Sequence, residues 1–359
     1  MLTESKHPGS NPKIPFYIMT SPQTHSQIVT YFEEKKFFGL DAENVFFFSQ
    51  GTLPCFTNEG KIMMEGDNAE KVAQAPDGNG GIYKALHTAR SGSKNLTAIE
   101  DMKNRGVEGV MVFAVDNAIC KVGDPAFVGY CLQEKAELGV KVVPKANAGE
   151  KVGHLVKVDG KAAVIEYTEI GKLAEETNED GSLKFNAGSI CIHYYSVDFL
   201  VKKCGVDALP TSYHVAKKKI PTAVVTATKE GVAASVEQIK PTENNGVKLE
   251  IFIFDVFPAA DITKVTVLEA TRSEEFTPVK NANAADVSKS VDSPYTARTI
   301  ITTLHKKWLE DAGVTVTGGD VEISPLVSYG GEGLECLKGK TVNAPAEGLY
   351  IDSEWFRAR

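Results

Sequence analysis

Five short apolar runs, each too brief for a helix and each closed by polar or turn-forming residues, do most to limit the folds open to this chain. Ile14–Met19, Val45–Phe48, Gly109–Val115, Val140–Pro144 and Leu249–Phe254 are rich in Val, Ile and Phe. Such runs read as strands buried on both faces of a sheet. Helical stretches fall between them. Ser21-Pro22 offers an N-cap with proline at the first helical position, predicting a helix to Phe38 that Gly39 ends. Strand, helix, strand in that order predicts a right-handed crossover in a parallel sheet. Further helices are expected over Ile82–Ala89, Ala98–Arg105 and Asp124–Leu138, and from Ser293-Pro294 to Ala312 with Gly313 as the stop. Asp159-Gly160 predicts a hairpin between Val152–Val158 and Ala162–Tyr167, and Asn58-Glu59-Gly60 a second one joining Phe56-Thr57 to Ile62–Met64. Residues 206–247, rich in Lys, Thr and Pro, read as an irregular excursion. The expected division is a polar segment over 1–13, an α/β domain over 14–312 and a small β-rich domain over 313–359.

With 359 residues, 42% of them hydrophobic, the chain has material for more than one core. A net charge of −8 argues against a nucleic-acid or membrane-surface binder, since both need a basic face. Any phosphate it holds must be met by a few placed cations. Its six cysteines form no Cys-x-x-Cys pair and read as free thiols of a reducing compartment. No apolar run is long enough to span a membrane, and Met1–Pro12 lacks the apolar centre of a secretory signal. A cytosolic protein is expected.

The chemistry is expected around Ala75–Tyr83, Ala-Pro-Asp-Gly-Asn-Gly-Gly-Ile-Tyr, read with Val115-Asp116-Asn117. Glycines let a loop's backbone approach a ligand closely, and a helix beginning at Ile82 would place N–H groups where anions are favoured. Asp116 falls at the end of a buried strand, a place from which a carboxylate can hold a metal against a phosphate.

Seven segments carry a further pattern. They are Ile14–Ser21, the Ala75–Tyr83 loop, Val115-Asp116-Asn117, Glu166-Tyr167, Asn186-Ala187-Gly188, Phe252–Phe257 and Ile323–Tyr329. In this order they resemble the eukaryotic UDP-N-acetylglucosamine pyrophosphorylases (UTP:N-acetylglucosamine-1-phosphate uridylyltransferases) over nearly the whole chain. The resemblance implies an α/β fold, a Rossmann-like nucleotidyltransferase mixed sheet flanked by helices, with a small β-rich C-terminal domain. The family's opening Gly-Gly-x-Gly-Thr-Arg-x-Gly loop and its Pro-Lys pair do not stand before Ile14. The resemblance therefore implies an N-terminally truncated chain: a fragment, a gene model started at an internal Met, or a degenerate copy. Ser189 and Ile192 stand where the family usually, or often, has Asn.

The implied reaction makes UDP-N-acetylglucosamine and pyrophosphate from UTP and N-acetylglucosamine-1-phosphate with Mg²⁺. The implied roles follow residue by residue. Asp116 holds Mg²⁺, and Lys280 and Lys248 offset phosphate charge. Gln50 meets the uracil edge, with Pro76 and Gly78 pressing on the ring. Asn79, Asn186 and Gly153 form an acetamido pocket. Glu166 accepts from sugar hydroxyls, and Tyr167, Phe252 and Phe254 give the sugar apolar faces. Taken alone, Asn beside Gly is turn chemistry and Phe-x-Phe is strand packing. Two other functions stay open at this point: a non-catalytic UDP-sugar binder, and a pyrophosphorylase for UDP-N-acetylgalactosamine.

Overall fold

A computed structural model describes residues 13–91, 95–208, 213–226 and 235–358. Of the expected polar segment over 1–13, residues 1–12 lie outside them. Strand β1 (Phe16–Thr20) pairs in parallel with β2 (Val45–Ser49), and helix α1 (His25–Glu34) lies between them in sequence. The helix starts three residues later than the Ser21-Pro22 signal implies. Ser21 instead opens a turn, its N–H donating to the Thr24 hydroxyl at 3.1 Å. The helix also stops short of Phe38, because Lys36, Phe37 and Phe38 all take left-handed φ values.

After α2 (Ile82–Thr88) and α3 (Ala98–Asn104), the latter closed by a Thr97–Glu100 capping box, comes β3 (Gly109–Phe113). Helix α4 (Pro125–Gln133) is shorter than expected, since Lys135 turns left-handed at φ 53°. The released residues lengthen the next strand, β4 (Leu138–Pro144). The Asp-Gly hairpin joins β5 (Gly153–Val158) to β6 (Lys161–Ile165), with positive φ at both turn residues as a tight two-residue turn requires. Strand β7 (Ala187–Ser196) then leads into α5 (Val197–Lys203).

The described part of 206–247 is not irregular. It holds β8 (His214–Lys218) and a hairpin of Thr222–Thr226 with Ser235–Ile239, while 209–212 and 227–234 fall outside the described residues. Strand β8 pairs with β9 (Gly246–Glu250), which in turn pairs with Phe56–Thr57. A final strand of the main sheet is β10 (Val265–Glu269).

The main sheet runs β6-β5-β7-β4-β10, with β3 also on β7. It is mixed: β4 and β10 are parallel, whereas β7 is antiparallel to β3, β4 and β5. Successive side chains of β4 point to opposite faces and are buried on both. Leu138, Val140 and Val142 join a core with α2, α3 and α5, while Val143 faces Phe127 and Cys131 of α4. Helices thus cover both faces. Phe16 of β1 stacks on Phe113 of β3 at 6.4 Å, yet among the described residues β1 and β3 share no ladder.

Helix α6 (Pro294–Asp311) begins with a Ser293–Thr296 capping box and ends in a separate core. There Leu309 packs with β11 (Thr315–Gly318), β12 (Val321–Ile323), β13 (Thr341–Ala344) and β14 (Leu349–Ile351), joined as parallel pairs β11–β13 and β12–β14. None of the described helices is long and apolar enough to cross a membrane, and all six cysteines are free.

Candidate functional site

The glycine-rich loop is bare for a reason the sequence does not show. A Cβ on Gly78, where φ is +92°, would stand 2.4 Å from the Ile251 carbonyl oxygen, and one on Gly80 would stand 2.6 Å from Phe252 O. The glycines let the loop lie directly on the segment after β9. Gly80 N–H donates to Ile251 O at 2.8 Å, Ile251 N–H to Asp77 O at 2.7 Å, and Ile253 N–H to Asn79 Oδ1 at 2.9 Å. Gly81 N–H donates back to Gly78 O. Two of the loop's N–H groups, those of Gly80 and Gly81, are therefore already used within the protein. Asn79 keeps only its amide nitrogen unpaired among the described residues.

Gln50 fixes the same loop. Its Nε2 donates to Asp77 Oδ1 at 2.9 Å and to Gly78 O at 3.0 Å, which leaves Oε1 as an acceptor. Burial raises the pKa of the Asp77 carboxyl, against the pull of the Gln50 hydrogen bond. Pro76 sits beside them, paired with Thr52 in a short antiparallel ladder.

Phe252 and Phe254 do not alternate along a strand. Strand β9 ends at Glu250 because Asp255 closes a turn: Phe252 N–H donates to Asp255 Oδ2 at 2.8 Å and Asp255 N–H to Phe252 O at 3.0 Å. The other carboxylate oxygen, Oδ1, lies 3.0 Å from His214 Nε2, and the His214 ring stacks on Phe252 at 4.0 Å. Glu169 reaches the far side of that ring, at 3.5 Å from Nδ1. Glu166 lies within electrostatic range of this group. Its pKa is raised by burial and then by Glu169, with His214 and Lys280 pulling it down. Gly153 makes room here, since a Cβ on it would meet Val164 at 2.6 Å and Glu166 Oε1 at 3.4 Å. Tyr167 and Asn186 are exposed near these strands.

Asp116 lies in the turn after β3, with its carboxylate 3.3 Å from Lys280 Nζ. The strand before it is bonded to antiparallel β7, not to a parallel neighbour. Behind the pair, β7 bulges where its register against β4 slips, and Cys191 in that bulge takes φ 53°. Burial pushes the Cys191 thiol up to about 11, with Lys280 lowering it and Glu166 and Asp116 raising it. Lys280 thus contacts Asp116 and lies within electrostatic range of Glu166 and Cys191, and Glu166 in turn lies within range of His214.

Lys248 is not part of this group. It stands in β9 near the buried Cys55 thiol, and no contact among the described residues ties it to Asp116 or Lys280. Sequence reasoning passed over His214 and Glu169, and gave Asp255 and Asn117 no role although both lie in motifs it singled out. The one signal available was Asp255 directly after Phe-x-Phe, an acceptor placed to bond back two or three residues.

The sequence profile of the family described as UTP--glucose-1-phosphate uridylyltransferase matches residues 3–316. UDP-N-acetylglucosamine pyrophosphorylase of Saccharomyces cerevisiae is 42% identical over 330 residues, which cover 91% of this chain and 65% of the yeast protein. UDP-N-acetylhexosamine pyrophosphorylase-like protein 1 of Homo sapiens is 40% identical over 370 residues, covering 97% of this chain and 68% of the human one. The crystal structure of the uridine diphosphate N-acetylglucosamine pyrophosphorylase from Trypanosoma brucei in complex with inhibitor matches with a TM-score of 0.77 at 32% identity, over 93% of this chain and 66% of that one. The chain thus spans about two thirds of the length of these relatives, the resemblance in motif order extends to overall sequence, and the nucleotidyltransferase-type α/β fold is shared.

Proposed function

We propose, because this chain belongs to the UTP--glucose-1-phosphate uridylyltransferase family, that it is a uridylyltransferase making UDP-N-acetylglucosamine from UTP and N-acetylglucosamine-1-phosphate. The observation that carries the reading is the Lys280–Asp116 pair, 3.3 Å apart, with Lys280 in electrostatic range of Glu166. A phosphate oxygen of the sugar phosphate attacks the α-phosphorus of UTP. The new P–O bond forms as the bond to the β-phosphate breaks, and pyrophosphate leaves. No covalent nucleophile is needed, only alignment and relief of charge.

Lys280, half-exposed on a flexible stem, is free to swing from Asp116 onto phosphate oxygens. Among the described residues no cluster of three or more His, Cys, Asp or Glu could cage a metal. A single carboxylate with room around it suits Mg²⁺, which uses one or two carboxylates together with substrate phosphates. Asp116 would hold it, and bound Mg²⁺ would supply neutralisation of phosphate charge. Gln50 Oε1 is the acceptor for the uracil N–H, positioned by the bonds its amide nitrogen makes to the loop. Glu166 accepts from sugar hydroxyls, and Phe252, held by Asp255 and backed by His214, gives the sugar an apolar face.

Pyrophosphate release from UTP and N-acetylglucosamine-1-phosphate tests this directly. Turnover by the chain is expected, abolished by chelation and lowered roughly 10²–10³-fold by Lys280→Ala, the cost of one electrostatic donor. Assaying N-acetylgalactosamine-1-phosphate alongside fixes the sugar. Binding of UDP-N-acetylglucosamine with no pyrophosphate released would overturn the catalytic reading in favour of a binder.

A further inference from the structure

Asp116 and Lys280 arrive from segments far apart in the chain, and both side chains are substantially exposed. Their own attraction is weak in that setting, since exposed ion pairs contribute about 0–1 kcal/mol. What holds the two segments together is Asn117, which is buried. Its Nδ2 donates to Glu275 O at 2.7 Å, and its Oδ1 accepts from Thr277 N–H at 2.9 Å. Two main-chain bonds flank it: Ala118 N–H to Thr277 O at 3.1 Å and Val279 N–H to Asp116 O at 2.9 Å. An Asn serving only its own turn bonds to its own backbone neighbours. Here both ends of the amide cross to the strand of chain that delivers Lys280.

The receiving segment is itself anchored. The Glu275 carboxylate pairs with the fully buried Lys141 of β4 and with Lys121 at 3.4 Å, and Asp124 meets Lys141 from α4's cap. The turn that carries Asp116 is thus referenced, through one amide, to the main sheet. An Asn side chain presents a donor and an acceptor on one planar group, and an ionised Asp of the same shape has no donor.

We propose that Asn117 is the positioning residue that sets Asp116 against Lys280, so that the charge relief assigned to the pair depends on its amide. The proposal rests on the uridylyltransferase reading above, and the test separates the two. In Asn117→Ala, kcat falls about 100-fold, the cost of a displacement near 1 Å, while KM for both substrates stays within about threefold. The Mg²⁺ concentration for half-maximal rate rises. Asn117→Asp keeps the Thr277 bond, loses the donation to Glu275 O, and falls between wild type and Ala.

Hydrogen exchange on the same proteins gives a readout independent of turnover. Residues 114–119 and 276–281 lose protection in Asn117→Ala, while Leu138–Pro144 keeps it. A variant with wild-type kcat and Mg²⁺ dependence overturns the proposal and leaves the function standing. Loosening shared by Leu138–Pro144 also overturns it, because Asn117 would then be merely structural. If the wild-type chain releases no pyrophosphate, the functional reading fails and the catalytic part of the proposal falls with it. Exchange alone then decides the clamp: loss confined to the two segments upholds it, and no loss rejects it.

Discussion

Replacing Lys141 by Met tests whether the site is built on a buried ion network. Lys141 is fully buried, with Asp124 and Glu275 against its ammonium and Phe127 beneath it, the ring centroid 5.3 Å away. Met fills a similar volume without charge, so the main loss is electrostatic: two carboxylates remain in a low-dielectric setting with their cation gone. Breaking a buried pair from one side costs about 3–5 kcal/mol. Two observations place this case at the lower end. Glu275 keeps Lys121 at 3.4 Å, and Asp124 keeps its cap on α4, accepting from Ala126 N–H at 3.0 Å. A loss of about 3 kcal/mol is expected. Adding Glu275→Gln to Lys141→Met should recover at least about 1 kcal/mol, because an uncompensated charge costs more to bury than a neutral amide. The probe matters. Both tryptophans, Trp308 and Trp355, pack in the C-terminal core, so their fluorescence reports the wrong region. Hydrogen exchange of the β4 amides under mild denaturant reads the right one. A loss below about 1 kcal/mol, or a double variant weaker by the sum of the two singles, would refute a network whose charges depend on one another.

Gly78→Ala puts a Cβ 2.4 Å from the Ile251 carbonyl oxygen in a backbone region open essentially to glycine, a strain of about 1–3 kcal/mol before any clash. A lower melting temperature and weaker uridine nucleotide binding by calorimetry are expected together, and unchanged values for both would show that the loop does not need its glycine. His305 gives a pH prediction. Burial lowers its pKa from the usual 6.5 to about 4, and its Nδ1 accepts from Ile323 N–H at 2.9 Å, which requires the neutral ring. Between those values the unfolded chain binds the proton and the folded one does not. Stability of the C-terminal core, followed by tryptophan fluorescence, is therefore expected to fall as pH drops from about 6.5 toward 4 and to fall less in His305→Gln.

What the sequence determined by itself is whatever near neighbours decide. The apolar run around Val140, the Asp159-Gly160 turn, the Ser293-Pro294 start of α6 and the register of seven motifs were all legible, because alternation, turn dihedrals and capping are set within a few residues. Tertiary structure alone decided what those elements are for. Gly78 and Gly80 looked like a phosphate cradle, but their missing side chains admit Ile251 and Phe252. Phe252 and Phe254 looked like a strand, but Asp255 folded them into a turn that His214 covers. Lys248 and Lys280 looked equivalent as cations, and only the second reaches Asp116. Each of these outcomes depends on which distant segment closes against which. That is fixed by the packing of whole layers and leaves no local period for a sequence to display.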